Sequence, residues 1–138
     1  MLRTKILPVI AGFISASIVM VLFEYANSFV FPFPEGFDTA NLEMLRQFTE
    51  MYSPHIFILV WCGWFFGSGV AGYVTTKLSN ETQDRLSAVV GVFLTLAGIA
   101  NHLMLNHPLW FNIIGLPVFI MCTYGGHKLY LRCKVTTS

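Results

Sequence analysis

Apolar residues run along most of this chain in four long stretches, which shorter polar segments separate. Each stretch holds about 20 mostly apolar residues, the length that an α-helix needs to cross the hydrocarbon core of a bilayer. The four predicted spans cover residues 6–29, 54–76, 86–106 and 109–130. The pattern predicts an all-α membrane protein, a bundle of four transmembrane helices in a single domain over residues 1–138.

The longest connection, at residues 30–53, changes from a proline-rich exit (FPFPEG) to a periodic pattern. Apolar residues recur there at helical spacing behind Asp38 or Thr39, either of which can cap a helix. The apolar stripe consists of Leu42, Leu45, Phe48 and either Met51 or Tyr52. We expect a short amphipathic helix on the membrane surface or across the mouth of the bundle. Four acidic residues against one arginine suit an ordinary solvated surface or a cap that attracts cations.

Composition agrees with this architecture and excludes other classes. Hydrophobic residues make up 55% of the chain and charged residues 11%, far from the averages of soluble proteins. The formal net charge is only +1, so no basic excess indicates a nucleic acid partner. The three cysteines have no metal-binding or disulfide spacing. The lipid bilayer is therefore the first partner that the sequence predicts.

Lysine and arginine are distributed unevenly between the connections, and this asymmetry predicts the orientation. The first and third connections contain only Arg46. The other seven basic residues are at the two termini and in the second connection: Arg3, Lys5, Lys77, Arg85, Lys128, Arg132 and Lys134. We therefore expect both termini to be cytoplasmic, with the loop at residues 30–53 and the turn at residues 106–108 on the outer side.

Small residues recur every three or four positions in the spans, as they do where transmembrane helices pack closely. The candidate packing residues are Gly63, Gly67 and Ala71 in the second span, Gly91 and Gly98 in the third, and Gly115 in the fourth. Such faces serve contacts within one chain or between chains. A second copy of the chain or another membrane protein is thus a candidate partner.

Ionisable residues inside spans are expensive and mark candidate sites. Glu24 lies near the outer boundary of the first span, where Asn101 and His102 approach in the third. His107 falls in the outer turn, and Asn112 begins the fourth span. The sequence therefore predicts a polar cluster of these five residues in the outer leaflet.

Three interpretations of this cluster stay open. Glu24, His102 and His107 carry ligand types that suit zinc or iron, although no two of them have a metal-binding spacing on one helix face. A second interpretation is a proton or cation relay between Glu24 and a histidine. In the third, the polar side chains hydrogen-bond across helices or reach interfacial water.

Two motifs give the chain a resemblance to a family. The segments AGIAN, residues 97–101, and HPLWF, residues 107–111, accompany FPFPEG and a glycine-rich second span. Together they resemble a group of small bacterial four-span membrane proteins of uncharacterised function, over residues 6–130. The resemblance implies a bacterial inner-membrane location and transfers no activity or cofactor.

The chain departs from the family's pattern at two positions. The family has an apolar residue where His102 stands, and a histidine shortly after the glutamate, where this chain has Ser28. The resemblance therefore favours Glu24, Asn101 and His107 as the site residues that this chain has in common with the family.

The sequence contains no phosphate-binding loop and no nucleophile–base arrangement, so an enzyme is the least supported class. No cofactor or bound metal is predicted. We expect a non-enzymatic structural or interaction component with a polar outer vestibule. The alternative is a small transporter or channel subunit that couples protons or cations at Glu24 and a histidine, and the third is a membrane-embedded metalloenzyme.

Overall fold

The computed structural model describes residues 2–52, 54–79, 85–105 and 109–136. The helices are α1 (Leu2–Val30), α2 (Leu42–Tyr52), α3 (Ile56–Ser79), α4 (Arg85–Leu105) and α5 (Leu109–Thr136). Four of them, all but α2, are long and apolar enough to cross a membrane. The prediction of an all-α fold with four such helices is confirmed, and the fold is compatible with an integral, multi-pass membrane protein.

Helix α3 is central and packs against α1, α4 and α5. Contacts at one end of the bundle fix the relative directions of the helices. Asn27 near the end of α1 hydrogen-bonds to Ile56 at the start of α3, and Arg46 of α2 donates to the carbonyl oxygen of Met104 near the end of α4 (2.8 Å). We call this the α2 end. Helices α1 and α4 therefore run parallel, and both begin at the opposite end.

The small residues of α3 form the contact with α1. Gly63 lies against Phe23, and Gly67 lies against the backbone of Ala16 and the side chain of Met20. Ala71 is fully buried. Because a larger side chain on this face would meet α1 directly, small residues allow the two helices to approach each other.

A second set of small residues joins α5 to α3 and α4. Gly91 and Gly98 of α4 face Thr123 and Phe119 of α5, respectively. Gly115 of α5 lies against the indole ring of Trp64 in α3.

Helices α3 and α5 approach each other very closely at two glycines. A Cβ added at Gly72 would collide with the backbone of Thr123, and one added at Gly126 would collide with the backbone carbonyl of Gly69. The two backbones are therefore in direct contact at this crossing, as small residues permit in membrane helices.

Large apolar side chains cover the outer surface of the bundle. Leu7, Leu22, Leu103 and Met121 are each more than 60% exposed. Such a surface would favour aggregation in water but matches the acyl chains of a bilayer. The exposed surface and the spans thus point to the same environment.

The helix in the first connection is present, and two details of its prediction are resolved. Its cap is Asn41, not Asp38 or Thr39, because the Asn41 side-chain oxygen accepts hydrogen bonds from the backbone amides of Glu43 and Met44 (3.1 and 3.2 Å). Asp38 instead accepts a hydrogen bond from the backbone of Ala40 in the preceding turn.

Tyr52 rather than Met51 completes the inward stripe of α2. The Tyr52 ring lies 4.9 Å from the Phe48 ring, whereas Met51 is 75% exposed.

At the other end of the chain, α5 extends six residues beyond the predicted limit of 130, to Thr136. The basic residues of this extension favour helix and can enter water, so the helix need not stop at the membrane boundary.

Candidate functional site

The predicted outer cluster is divided between two locations. Glu24 and Asn101 line one cavity at the α2 end. His102 and Asn112 instead hydrogen-bond to each other between α4 and α5, with 2.8 Å between Nδ1 of the histidine and Nδ2 of the asparagine. His107 lies outside the described residues.

The rotation of α4 explains this division. Consecutive residues of an α-helix are about 100° apart around its axis. Asn101 and His102 share one depth in the membrane but cannot face the same neighbour. Asn101 faces the cavity between α1 and α3, whereas His102 faces α5.

The cavity has a volume of about 320 Å³ and lies between the last turns of α1 and α4, the first turns of α3, and α2. Leu45 and Phe48 of α2 contribute to its wall. The hydrogen bond from Arg46 to Met104 holds α2 against α4 beside it. The amphipathic helix therefore forms one wall of the cavity.

Asn27 lines this cavity and has an unsatisfied side-chain oxygen. Its side chain is only 8% exposed, and its Nδ2 donates to the carbonyl oxygen of Ile56 at 3.3 Å. Because that carbonyl can only accept, the amide nitrogen must face it and Oδ1 must face away. Oδ1 is buried and has no hydrogen-bond partner among the described residues.

Two further residues with side-chain oxygens, Asn101 and Glu24, line the same cavity. Oδ1 of Asn101 is also buried and lacks a partner among the described residues. Glu24 lies three residues before Asn27, a spacing that puts both side chains on one face of α1. No described residue forms a hydrogen bond or an ion pair with the Glu24 carboxylate.

The hydroxyl groups in the cavity wall are already engaged. Ser28 donates to the carbonyl oxygen of Tyr25 (2.7 Å), and Thr49 donates to that of Leu45 (2.7 Å). The buried oxygens of Asn27 and Asn101 are therefore the acceptors in the wall that lack donors among the described residues, and the carboxylate of Glu24 belongs to an exposed residue beside them. A buried acceptor without a donor costs about 1–3 kcal/mol, which a ligand with donor groups would recover.

Aromatic rings form much of the remaining wall. Phe31, Phe33, Phe48 and Phe57 all line the cavity. The Phe33 and Phe48 rings lie 4.8 Å apart. Aromatic faces attract cations, most strongly where water is excluded. The residues of the wall therefore combine one carboxylate, two asparagine amides and four aromatic rings, a set of groups that favours a positively charged ligand.

A second polar cluster near the opposite end was not predicted. Thr76 Oγ1 lies 3.0 Å from Ser87 Oγ and 3.0 Å from His127 Nδ1, and it donates to the carbonyl oxygen of Gly72 at 2.7 Å. His127 is 1% exposed. The cluster joins α3, α4 and α5 and has a structural character, since its members bond to one another. Two threonines in succession inside an apolar span were the sequence signal for it.

Within the described part of the chain, no group of three or more histidine, cysteine, aspartate or glutamate side chains could hold a metal ion. This result covers Glu24 and His102 but not His107.

Comparison of the chain with models of protein families, with curated proteins and with solved structures finds no match in any of the three.

Proposed function

We propose that this protein is a non-enzymatic component of the bacterial inner membrane that binds a small organic cation in the cavity at the α2 end. One observation carries the proposal. Glu24, Asn27 and Asn101 line a cavity that also has four phenylalanine residues in its wall, and the buried side-chain oxygens of the two asparagines have no hydrogen-bond partner among the described residues. A primary ammonium group supplies both a positive charge and three hydrogen-bond donors to such a wall.

The size and chemistry of the cavity favour an organic cation over a metal ion. A volume of about 320 Å³ is at the lower end of the range for small-molecule sites. A bare cation would leave most of that space unfilled and would need more oxygen ligands at short distance. An alkyl or aromatic body attached to the ammonium group would instead contact the phenylalanine rings.

The interior between the cavity and the opposite end supports a binding role over an open channel. Ala16, Val90 and Leu94 are at most 3% exposed there. The backbones of α3 and α5 touch at Gly72 and Thr123. A channel would require these helices to separate, whereas binding requires no such change.

The distribution of basic residues supports an orientation in which the cavity opens outward. Arg46 is the one basic residue of the first connection, whereas seven basic residues occur at the termini and in the second connection. The cavity would then take its ligand from the outer side of the membrane. The acidic residues around α2 would raise the local concentration of cations.

The direct test measures binding of benzylammonium to the purified protein in lipid nanodiscs by isothermal titration calorimetry. Benzyl alcohol serves as the neutral analogue. We expect benzylammonium to bind more tightly than benzyl alcohol, and Glu24→Gln to weaken its binding about thirtyfold, equivalent to ~2 kcal/mol. The matched control is Glu35→Gln, which removes an exposed carboxylate of the first connection that does not line the cavity.

Two outcomes would contradict the proposal. Equal binding of the cation and the alcohol would show that charge is not recognised. An equal loss of affinity for benzylammonium in the Glu24 and Glu35 variants would show that the attraction is a general property of the acidic surface and not of the cavity.

A further inference from the structure

A second concave surface lies between α1 and α4, near the opposite end of the bundle from the cavity. It is an open groove of about 560 Å³. Its walls are apolar, with Ile6, Ile10 and Phe13 on α1 and Val89 and Phe93 on α4. Each of these five side chains is between 39% and 54% exposed, so the described residues cover them only in part.

The length of the groove matches one leaflet of a bilayer. On α1 it extends from Lys5 to Ile14, which corresponds to about 14 Å at 1.5 Å per residue. The hydrocarbon core is about 30 Å thick, so each leaflet contributes roughly half of that. A helix of a second copy would pack along most of the core, whereas an acyl chain extends through one leaflet. The groove therefore fits an acyl chain better than a helix.

The charge at the end of the groove indicates which lipid would occupy it. Lys5 is the one charged residue among the described residues that line the groove. Arg85 is the first residue of α4 and directly precedes Leu86, which lines the groove as well. Since α1 and α4 run parallel, both basic residues belong to the same end. The termini and the second connection together contain seven basic residues, whereas their acidic residues are Glu81 and Asp84.

We propose that this groove binds an anionic phospholipid of the surrounding bilayer. One acyl chain lies between α1 and α4, and the phosphate group is at the level of Lys5 and Arg85. Lysine and arginine near the membrane surface attract anionic headgroups, and long basic side chains reach the headgroup level from within a span. The site is separate from the cavity at the α2 end and does not depend on the function proposed for it.

The test is native mass spectrometry of the detergent-purified protein, titrated with phosphatidylglycerol or phosphatidylcholine of identical acyl chains. We expect one phosphatidylglycerol to bind at least fivefold more tightly than phosphatidylcholine. Lys5→Gln and Arg85→Gln should each weaken the binding of phosphatidylglycerol about fivefold, because each removes one basic side chain. Lys77→Gln is the control, because Lys77 is an exposed basic residue in the last turn of α3 that does not line the groove.

A second pair of variants tests the apolar part of the site. Val89→Trp fills the groove and should lower binding of both lipids, whereas Val92→Trp places the same side chain at an exposed position of α4 outside the groove and should leave binding unchanged. Both variants must retain the circular dichroism of the parent protein.

Three outcomes would overturn the proposal: no preference for the anionic lipid, equal effects of Lys5→Gln and Lys77→Gln, or equal effects of the two tryptophan variants. A dimer that Val89→Trp dissociates, with lipid binding unchanged, would assign the groove to a second copy instead.

Discussion

The crossing of α3 and α5 provides a stringent test of the packing, because two adjacent glycines of α5 have opposite surroundings. A Cβ added at Gly126 would lie 2.9 Å from the carbonyl carbon of Gly69 and 2.9 Å from the amide nitrogen of Tyr73, and it would come closer still to the Gly69 oxygen. At Gly125 it would meet no atom within 4 Å. The two alanine substitutions thus add the same methyl group to the same helix.

The expected cost follows from which atoms must move. The atoms that Gly126→Ala would meet belong to the α3 backbone and cannot rotate away, so α5 must move from α3. Overpacking of this kind costs typically 1–3 kcal/mol. The displacement also weakens the ring contacts of Trp64 with Phe111 and Phe119, now at 4.8 and 4.7 Å. We expect Gly126→Ala to destabilise the fold by ~2–3 kcal/mol.

Gly125→Ala should be neutral or stabilising by up to about 1 kcal/mol, since alanine favours helix over glycine. The assay is unfolding by sodium dodecyl sulfate in mixed micelles, followed by tryptophan fluorescence. Trp64 is 4% exposed and packs against α5, so its fluorescence should report the separation of α3 from α5. Free energies of unfolding within 0.5 kcal/mol of each other for the two variants would refute the crossing described above.

Three further predictions concern single side chains. Asn101→Leu should raise the free energy of unfolding by about 1 kcal/mol while weakening benzylammonium binding, because it removes a buried acceptor that lacks a donor; a loss of stability together with unchanged binding would contradict this. Thr76→Val should destabilise by ~1–3 kcal/mol in the same unfolding assay, because it removes the hydrogen bonds of Thr76 to Ser87 and His127 on two other helices. Thr95→Val removes a hydroxyl that donates to the carbonyl oxygen of Gly91 in its own helix and should cost less than about 0.5 kcal/mol; equal costs of the two valine substitutions would disprove a bridging role for Thr76. A cysteine introduced at Thr39 should react with an impermeant maleimide in intact cells, whereas the native Cys133, which is exposed, should react only after permeabilisation; the reverse pattern would invert the orientation.

The sequence predicts the helices well because each depends on local composition. Long apolar stretches define α1, α3, α4 and α5, and the spacing of Leu45 and Phe48 defines α2. The exact cap of α2 was less predictable, since asparagine, aspartate and threonine all cap helices. Only the hydrogen bonds of Asn41 decide among them.

The candidate site was predicted in part. Depth along the spans predicts that Glu24 and Asn101 belong to one layer, and in the structure both residues line the cavity. Depth does not fix the rotation of a helix about its axis, so it cannot separate Asn101 from His102. Asn27 was missed because a single asparagine near the end of a span is common. Its spacing of three from Glu24 was the available signal.

The aromatic wall could not be predicted from spacing. Phe31 and Phe33 follow α1, Phe48 belongs to α2, and Phe57 belongs to α3. These residues line one cavity because α2 packs beside the ends of α1 and α4. Such a contact depends on long-range packing, which periodicity within one segment does not encode.

The proposed binding of a small organic cation between Glu24 and the phenylalanine rings can be tested crystallographically. Crystals grown with 4-bromobenzylammonium test it most directly, because bromine gives an anomalous signal that identifies the position of the ligand. We predict one strong bromine peak inside the cavity, beside Phe48, with the ammonium nitrogen within hydrogen-bonding distance of the Glu24 carboxylate. An empty cavity in crystals saturated with the ligand, or a peak only on the lipid-facing surface, would contradict the account.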